Sequence, residues 1–273
     1  MNAERGIQAT DEAGQTAETI TEGSLVLVYR DRRRRWLVRP KDTPKLHTHL
    51  GILDVSALVG REYGIAVTTT LGDTLTILKP TIEDLVMKLT RRTQVVYPKD
   101  LGLIAVKLGI HSGSRVIETG TGTGATTALM AYLVQPEGMV YTYDVRPDFQ
   151  EVAQKNIEKL GLSRFVTFKV GDARLGFTEK GMDAGVLDVG DPWEVVRSMR
   201  ASLKPAAPIA VITPTTNQAE KLVAKMAEEG FVSIETVEVL LRHLEARVGM
   251  TRPSSQMVGH TAYLSFGRKT SGA

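Results

Sequence analysis

The chain has 273 residues, 42% apolar and 24% charged, with a net charge of +3 and no cysteine. This composition matches an ordinary globular protein of one large or two smaller domains. It excludes a disulfide framework, a thiolate nucleophile and a cysteine zinc site, and it offers no apolar run of about 18 residues for a membrane span.

Residues 1–21 are rich in Glu, Asp, Gln, Thr and Gly. They lack the basic start and apolar core of a secretory signal, so they read as a loose tail of a cytoplasmic protein. Short β-type runs at 24–29 and 35–38 flank the cluster Arg30-Asp31-Arg32-Arg33-Arg34-Arg35. Such a cluster, with Arg33 and Arg34 at its centre, can neutralise phosphates; a solvated hairpin tip explains it equally well. Further runs at 65–71 and 74–78 flank Gly72-Asp73, a good hairpin turn. Residues 22–80 are therefore expected to form a small β-barrel-like domain. Thr81 and Asp84 resemble a capping box opening a helix, which makes 81–99 a connection between modules. His47 and His49 have no third ligand nearby, and no metal site is expected.

From residue 100 to 273 strands and helices alternate. Strands are expected at 115–118, 139–144, 165–170, 184–188 and 209–213. Helices are expected at 124–134, 147–160, 192–203 and 215–229. This alternation predicts a doubly wound, mostly parallel α/β sheet. Strands at 231–241 and 261–266 have only a loop near 243–259 between them, so the last strand should run antiparallel.

The most informative run is Val116-Ile117-Glu118-Thr119-Gly120-Thr121-Gly122-Thr123-Gly124, followed by a helix from Ala125. Strand, glycine turn and helix N-terminus form a nucleotide-cofactor cradle. Gly120, Gly122 and Ala125 satisfy even the loose dinucleotide fingerprint, so the loop alone admits NAD, FAD or S-adenosylmethionine. Asp144, ending the second strand, suits ribose hydroxyls in either case. The further acids decide between them. Glu118 would repel a pyrophosphate, Asp172 can accept an adenine amine, and Asp188 ends the fourth strand. Four strand-end carboxylates match a cationic ligand better than a dianionic one. Each acid alone could simply cap the following helix.

These residues resemble the tRNA (adenine-N1)-methyltransferases of the TrmI type, from about residue 23 to the C-terminus. The resemblance rests on Leu46-His47-Thr48-His49-Leu50-Gly51, Tyr97-Pro98-Lys99-Asp100, the glycine loop, Asp188-Val189-Gly190-Asp191-Pro192-Trp193 and Val258-Gly259-His260-Thr261. The chain departs from the family at Gly190, where a larger residue is usual, and at Leu244, where Trp is common. The resemblance implies a class I S-adenosyl-L-methionine-dependent enzyme acting on a T-loop adenosine of tRNA, assembled as a homotetramer. It implies Asp188 as the catalytic carboxylate and Tyr97 as an aromatic at the pocket edge, with packing under Pro98 as the plainer role for Tyr97. Thr123, Gly124, Ala125 and Thr126 would hold the methionine carboxylate, and Phe149 would wall the nucleoside. Arg247 and Arg252 would meet RNA, unless surface salt bridges explain them. His260 suits structural hydrogen bonding better than chemistry. Two other readings compete: an NAD-linked oxidoreductase, and a non-catalytic tRNA-binding subunit, in which the cofactor loop should be damaged.

Overall fold

A computed structural model describes residues 18–91 and 95–272. The chain divides into two compact units between Asp84 and Leu85. The first holds strands β1 (Val26–Tyr29), β2 (Arg35–Val38), β3 (Lys45–Thr48), β4 (Gly51–Asp54), β5 (Ala66–Thr68) and β6 (Thr74–Leu78). Alternation explains its sheet: Val26 and Val28 of β1 and Leu75 and Ile77 of β6 send apolar side chains into one core. Val28 pairs with Ile77 on one side and with Trp36 on the other.

The expected barrel is instead an open antiparallel sheet, β2-β1-β6-β5, with a separate β3-β4 hairpin. That hairpin closes on the same core by burying the opposed pair Leu46 and Leu53. The strand expected at 65–71 stops at Thr68, because Thr69 already accepts the turn by bonding its N–H to the Asp73 carbonyl at 2.9 Å. Residues 1–17 of the expected tail lie outside the described residues. Its end is not loose: Ile20 is buried in this core, and its N–H donates to the Arg61 carbonyl at 2.8 Å.

Helix α1 (Ile82–Met87) opens with the expected reciprocal cap. The Asp84 N–H donates to the Thr81 hydroxyl, and the Thr81 N–H donates back to the Asp84 carboxylate at 3.0 Å. The segment expected as a free connection is partly claimed by the second unit. Asn156 pairs with both backbone groups of Thr90, at 3.1 and 3.0 Å.

In the second unit follow α2 (Pro98–Leu108), β7 (Arg115–Thr119), α3 (Ala125–Leu133), β8 (Met139–Asp144), α4 (Pro147–Lys159) and β9 (Val166–Val170). Then come β10 (Ala184–Leu187), α5 (Val196–Ser202), β11 (Pro208–Thr213), α6 (Thr216–Glu228), β12 (Phe231–Glu238), β13 (Leu244–Glu245), β14 (Arg252–Pro253) and β15 (Tyr263–Lys269). The sheet order is β12-β15-β11-β10-β7-β8-β9. Strands β7 to β11 pair in parallel, and β15 is antiparallel to both neighbours. This is the expected doubly wound sheet with its reversed last strand.

Three local expectations need correction. The helix expected at 192–203 is broken: Pro192 opens a single 3₁₀ turn, and α5 starts only at Val196. The strand from 231 ends at Glu238, and the loop after it carries the two-stranded β13-β14 ribbon. Helix α2 was not expected at all. The strand order turns at β7, with β8 on one side and β10 on the other, and in open α/β sheets ligands bind outside the strand ends at that switch point.

Candidate active site

Strand β7 delivers Glu118 and Thr119 to the switch point, and the glycine loop follows. Gly120 has φ +90°, and a Cβ there would lie 1.9 Å from the Asp188 carbonyl oxygen, so the loop can pass the end of β10 only as glycine. Gly124, at φ +82°, caps α3 and leaves the first amides of that helix facing the loop. Asp144, at the end of β8, fixes the loop from the other side. Its carboxylate accepts the Gly122 N–H at 3.2 Å and the Arg146 N–H at 3.0 Å.

Glu118 is only 1% exposed. The Thr127 hydroxyl donates to its Oε2 at 2.6 Å, while Oε1 is buried without a partner. Burial raises its carboxyl to about 7 against the hold of that hydroxyl, with Asp188 and Asp144 adding repulsion. Asp188 stands directly after β10, its N–H bonded to the Thr119 carbonyl at 2.9 Å. Its side chain has open surface, but that surface faces a recess in the protein. The loss of bulk water there raises its carboxyl to about 6, and the Asp144 charge adds to the effect. Among the described residues nothing hydrogen-bonds the Asp188 carboxylate.

Two adjoining lobes share Gly120, Asp144, Arg146 and Asp188. The larger, about 560 Å³, reaches Asp172, Asp191, Ile212, Pro214 and Gln218. The smaller, about 220 Å³, is lined by Val95, Val96 and the loop from Thr121 to Thr126. The structure thus brings Glu118, the glycine loop, Thr123, Ala125, Thr126, Asp144, Asp172 and Asp188 to one cleft region. Asp172 lines it while bound by Arg174, whose guanidinium Nε lies 3.0 Å from both carboxylate oxygens and holds the acid below its usual range.

Tyr97 and Phe149 stand beside the cleft and do not line it. Tyr97 precedes α2, partly exposed, next to Val95 and Val96. The Phe149 ring carries the Arg146 guanidinium at 3.5 Å.

The candidate RNA-contacting arginines lie on surface hairpins. The Arg34 Nε donates to Asp31 at 2.6 Å, and Arg252 pairs with Glu245 at 2.7 Å. Arg33 and Arg247 carry no ion pair among the described residues. Sequence reasoning missed Val95, Val96, Arg146 and Gln218 as lining residues. Only their adjacency to recognised motifs could have pointed to them. Among the described residues no group of three His, Asp or Glu side chains is placed to hold a metal ion, and no helix is long and apolar enough to cross a membrane.

Comparison with known proteins identifies the kind of site. A family model described as the tRNA methyltransferase complex GCD14 subunit matches residues 74–251. The tRNA (adenine(57)-N(1)/adenine(58)-N(1))-methyltransferase TrmI of Methanocaldococcus jannaschii is 34% identical over 89% of this chain and 94% of its own. The tRNA (adenine(58)-N(1))-methyltransferase TrmI of Thermus thermophilus is 32% identical over 87% of this chain and 94% of its own. Among solved structures, TrmI of Aquifex aeolicus superposes with a TM-score of 0.79 at 33% identity, covering 93% of this chain and all of that one. A Thermotoga maritima structure described as a SAM-dependent O-methyltransferase superposes with a TM-score of 0.87 at 38% identity, covering 95% and 98%. The glycine loop, the strand-end acids and these likenesses together place the chain in the GCD14/TrmI family of S-adenosylmethionine-dependent tRNA (adenine-N1)-methyltransferases.

Proposed function

We propose that this chain transfers a methyl group from S-adenosylmethionine to N1 of a T-loop adenosine in tRNA, giving 1-methyladenosine, with Asp188 as the catalytic carboxylate. The observation that carries this reading is the free Asp188 carboxylate at the junction of the two lobes, beside an intact glycine loop. A pyrophosphate would meet Glu118, Asp144 and Asp188 together, which disfavours the NAD reading. The intact loop speaks against a non-catalytic subunit.

The residues fit the cofactor. The orphaned Oε1 of Glu118 and the Asp188 carboxylate answer a cation. The amides opening α3 answer a carboxylate. Asp144 answers ribose hydroxyls, and Asp172 is the acid assigned to the adenine amine in this reading. When bound, S-adenosylmethionine supplies a sulfonium methyl group that adenine N1 takes in a single displacement. Asp188 accepts a hydrogen bond from the exocyclic amine of the target, orients N1 and offsets the positive charge that grows on the ring. Because N1 attacks through its own lone pair, no residue has to remove a proton first. Tyr97, next to the lining residues Val95 and Val96, is the aromatic that stacks on a flipped-out base in this reading.

The tRNA backbone is held by Arg33, Arg34, Arg247 and Arg252, with Arg33 and Arg247 the least engaged within the chain. The protein works as a homotetramer in the cytoplasm. The exposed apolar side chains of Leu241, Leu244, Val248 and Met250 on and around the β13-β14 ribbon support self-association.

Asp188→Asn tests the assignment. The variant should keep its circular dichroism spectrum. Its turnover should fall by about 10²–10³, as expected for loss of an oriented electrostatic contact. Near-normal turnover would remove Asp188 from the mechanism.

A further inference from the structure

His260 and Thr261, just before β15, join segments that line different lobes of the cleft. His260 Nδ1 lies 2.6 Å from Glu238 Oε1 at the end of β12, and Nε2 lies 2.8 Å from the Pro214 carbonyl just past β11. Both partners are acceptors, so an imidazolium, which donates from both nitrogens, satisfies them together. Pro214 and its near neighbour Ile212 line the larger lobe. Thr261 makes the second connection. Its hydroxyl accepts from Lys99 Nζ at 2.7 Å and donates to Asp100 Oδ2 at 2.8 Å. The Lys99 and Asp100 side chains are 9% and 1% exposed and pair at 2.8 Å. They lie in the first turn of α2, a few residues after Val95 and Val96, which line the smaller lobe. One dipeptide therefore fastens a wall of each lobe.

Every element packed on the ring contributes to its charge. Glu238 from β12 and the Pro214 carbonyl favour the imidazolium, Lys99 from α2 opposes it, and the Tyr263 ring of β15 lies tilted against it, centroids 4.8 Å apart. Asp100 faces it only through Thr261. The Glu238 hydrogen bond dominates and holds His260 above its usual 6.5.

We propose that His260 and Thr261 are positioning residues for methyl transfer. The charged His260 holds the Pro214 wall, Thr261 holds the start of α2, and the Pro214 wall is released when His260 loses its proton. The effect on turnover rests on the methyl-transfer reading; the structural link does not. The sign follows from the raised value: the His260 charge is favoured below pH 6.5 and is lost as the pH rises through the folded-state value, which lies above 6.5.

The test uses the full ligand-free chain with labelled histidine and isoleucine methyl groups. In the wild type the Ile212 methyl resonance should follow the His260 titration, with a midpoint above 6.5. Glu238→Gln should lower that midpoint. His260→Gln should abolish the Ile212 response and remove the alkaline limb of kcat, while affinity for S-adenosylmethionine by calorimetry stays unchanged. Thr261→Val should lower kcat about tenfold, the scale of one hydrogen bond, and Thr261→Ser should restore it. An Ile212 signal indifferent to His260 would overturn the proposal. So would His260→Gln losing cofactor affinity and thermal stability together with an unaltered pH profile. If the wild type methylates no tRNA while Ile212 still tracks His260, the functional reading fails and the clamp stands.

Discussion

At Asp188 two demands conflict. Methyl transfer needs a carboxylate that nothing in the protein has already neutralised, and folding penalises such a group. The recess raises its carboxyl to about 6 and that of Glu118 to about 7. Both acids therefore hold protons in the folded chain that the unfolded chain releases. Stability from each is complete below its unfolded value and falls as the pH rises through its folded one. Glu118→Gln should match the wild type in thermal unfolding below pH 4.5 and exceed it above about pH 7, when the ligand-free protein is compared. A gap that does not change with pH would contradict the burial account. The residue-level chemistry was readable in the sequence where it is local. Gly120, Glu118 and Asp188 follow strands whose ends could be counted. The engagement of Asp172 by Arg174 two residues on could not be told from a ligand-facing acid by spacing alone, since both need a carboxylate at a helix start.

The elements were legible where one periodicity held without interruption. Strands β10 and β11 read as nearly continuous apolar runs between turn residues, as a sheet covered on both faces requires. Helix α2 was overlooked although Leu101, Ile104, Ala105 and Leu108 keep helical spacing and are all buried. Pro98 sits at the first helical position, which it suits. The β3-β4 hairpin was hidden by its polar residues: exposed Lys45 and His47 flank the buried Leu46. The β13-β14 ribbon has only two pairs of residues in register, too short for a strand signal. Its exposed Val248 and Met250 make sense at a contact between copies. Replacing both by Asp should lower the mass measured by light scattering at moderate concentration while leaving the circular dichroism spectrum intact. An unchanged mass would count against self-association through this ribbon.

At the scale of the whole molecule, an antiparallel β unit precedes a seven-stranded α/β unit whose strand ends carry the cleft. The long-range network of Lys99, Asp100 and Thr261 spans about 160 positions in the chain. No local pattern could reveal it, because only the folded sheet brings α2 beside β15. The relatives also leave one chemical choice to be made. The TrmI proteins are named for nitrogen as acceptor, and the Thermotoga maritima structure for oxygen. A neutral hydroxyl must lose a proton to a base, whereas adenine N1 needs only charge stabilisation. Asp188, ionised above about pH 6 and free of partners, suits the second task. The most direct measurement is transfer from labelled S-adenosylmethionine to unmodified tRNA, with the product nucleoside identified. The account predicts 1-methyladenosine, abolished when the T-loop adenosines are replaced. A ribose-methylated nucleoside, or label that persists without those adenosines, would contradict it.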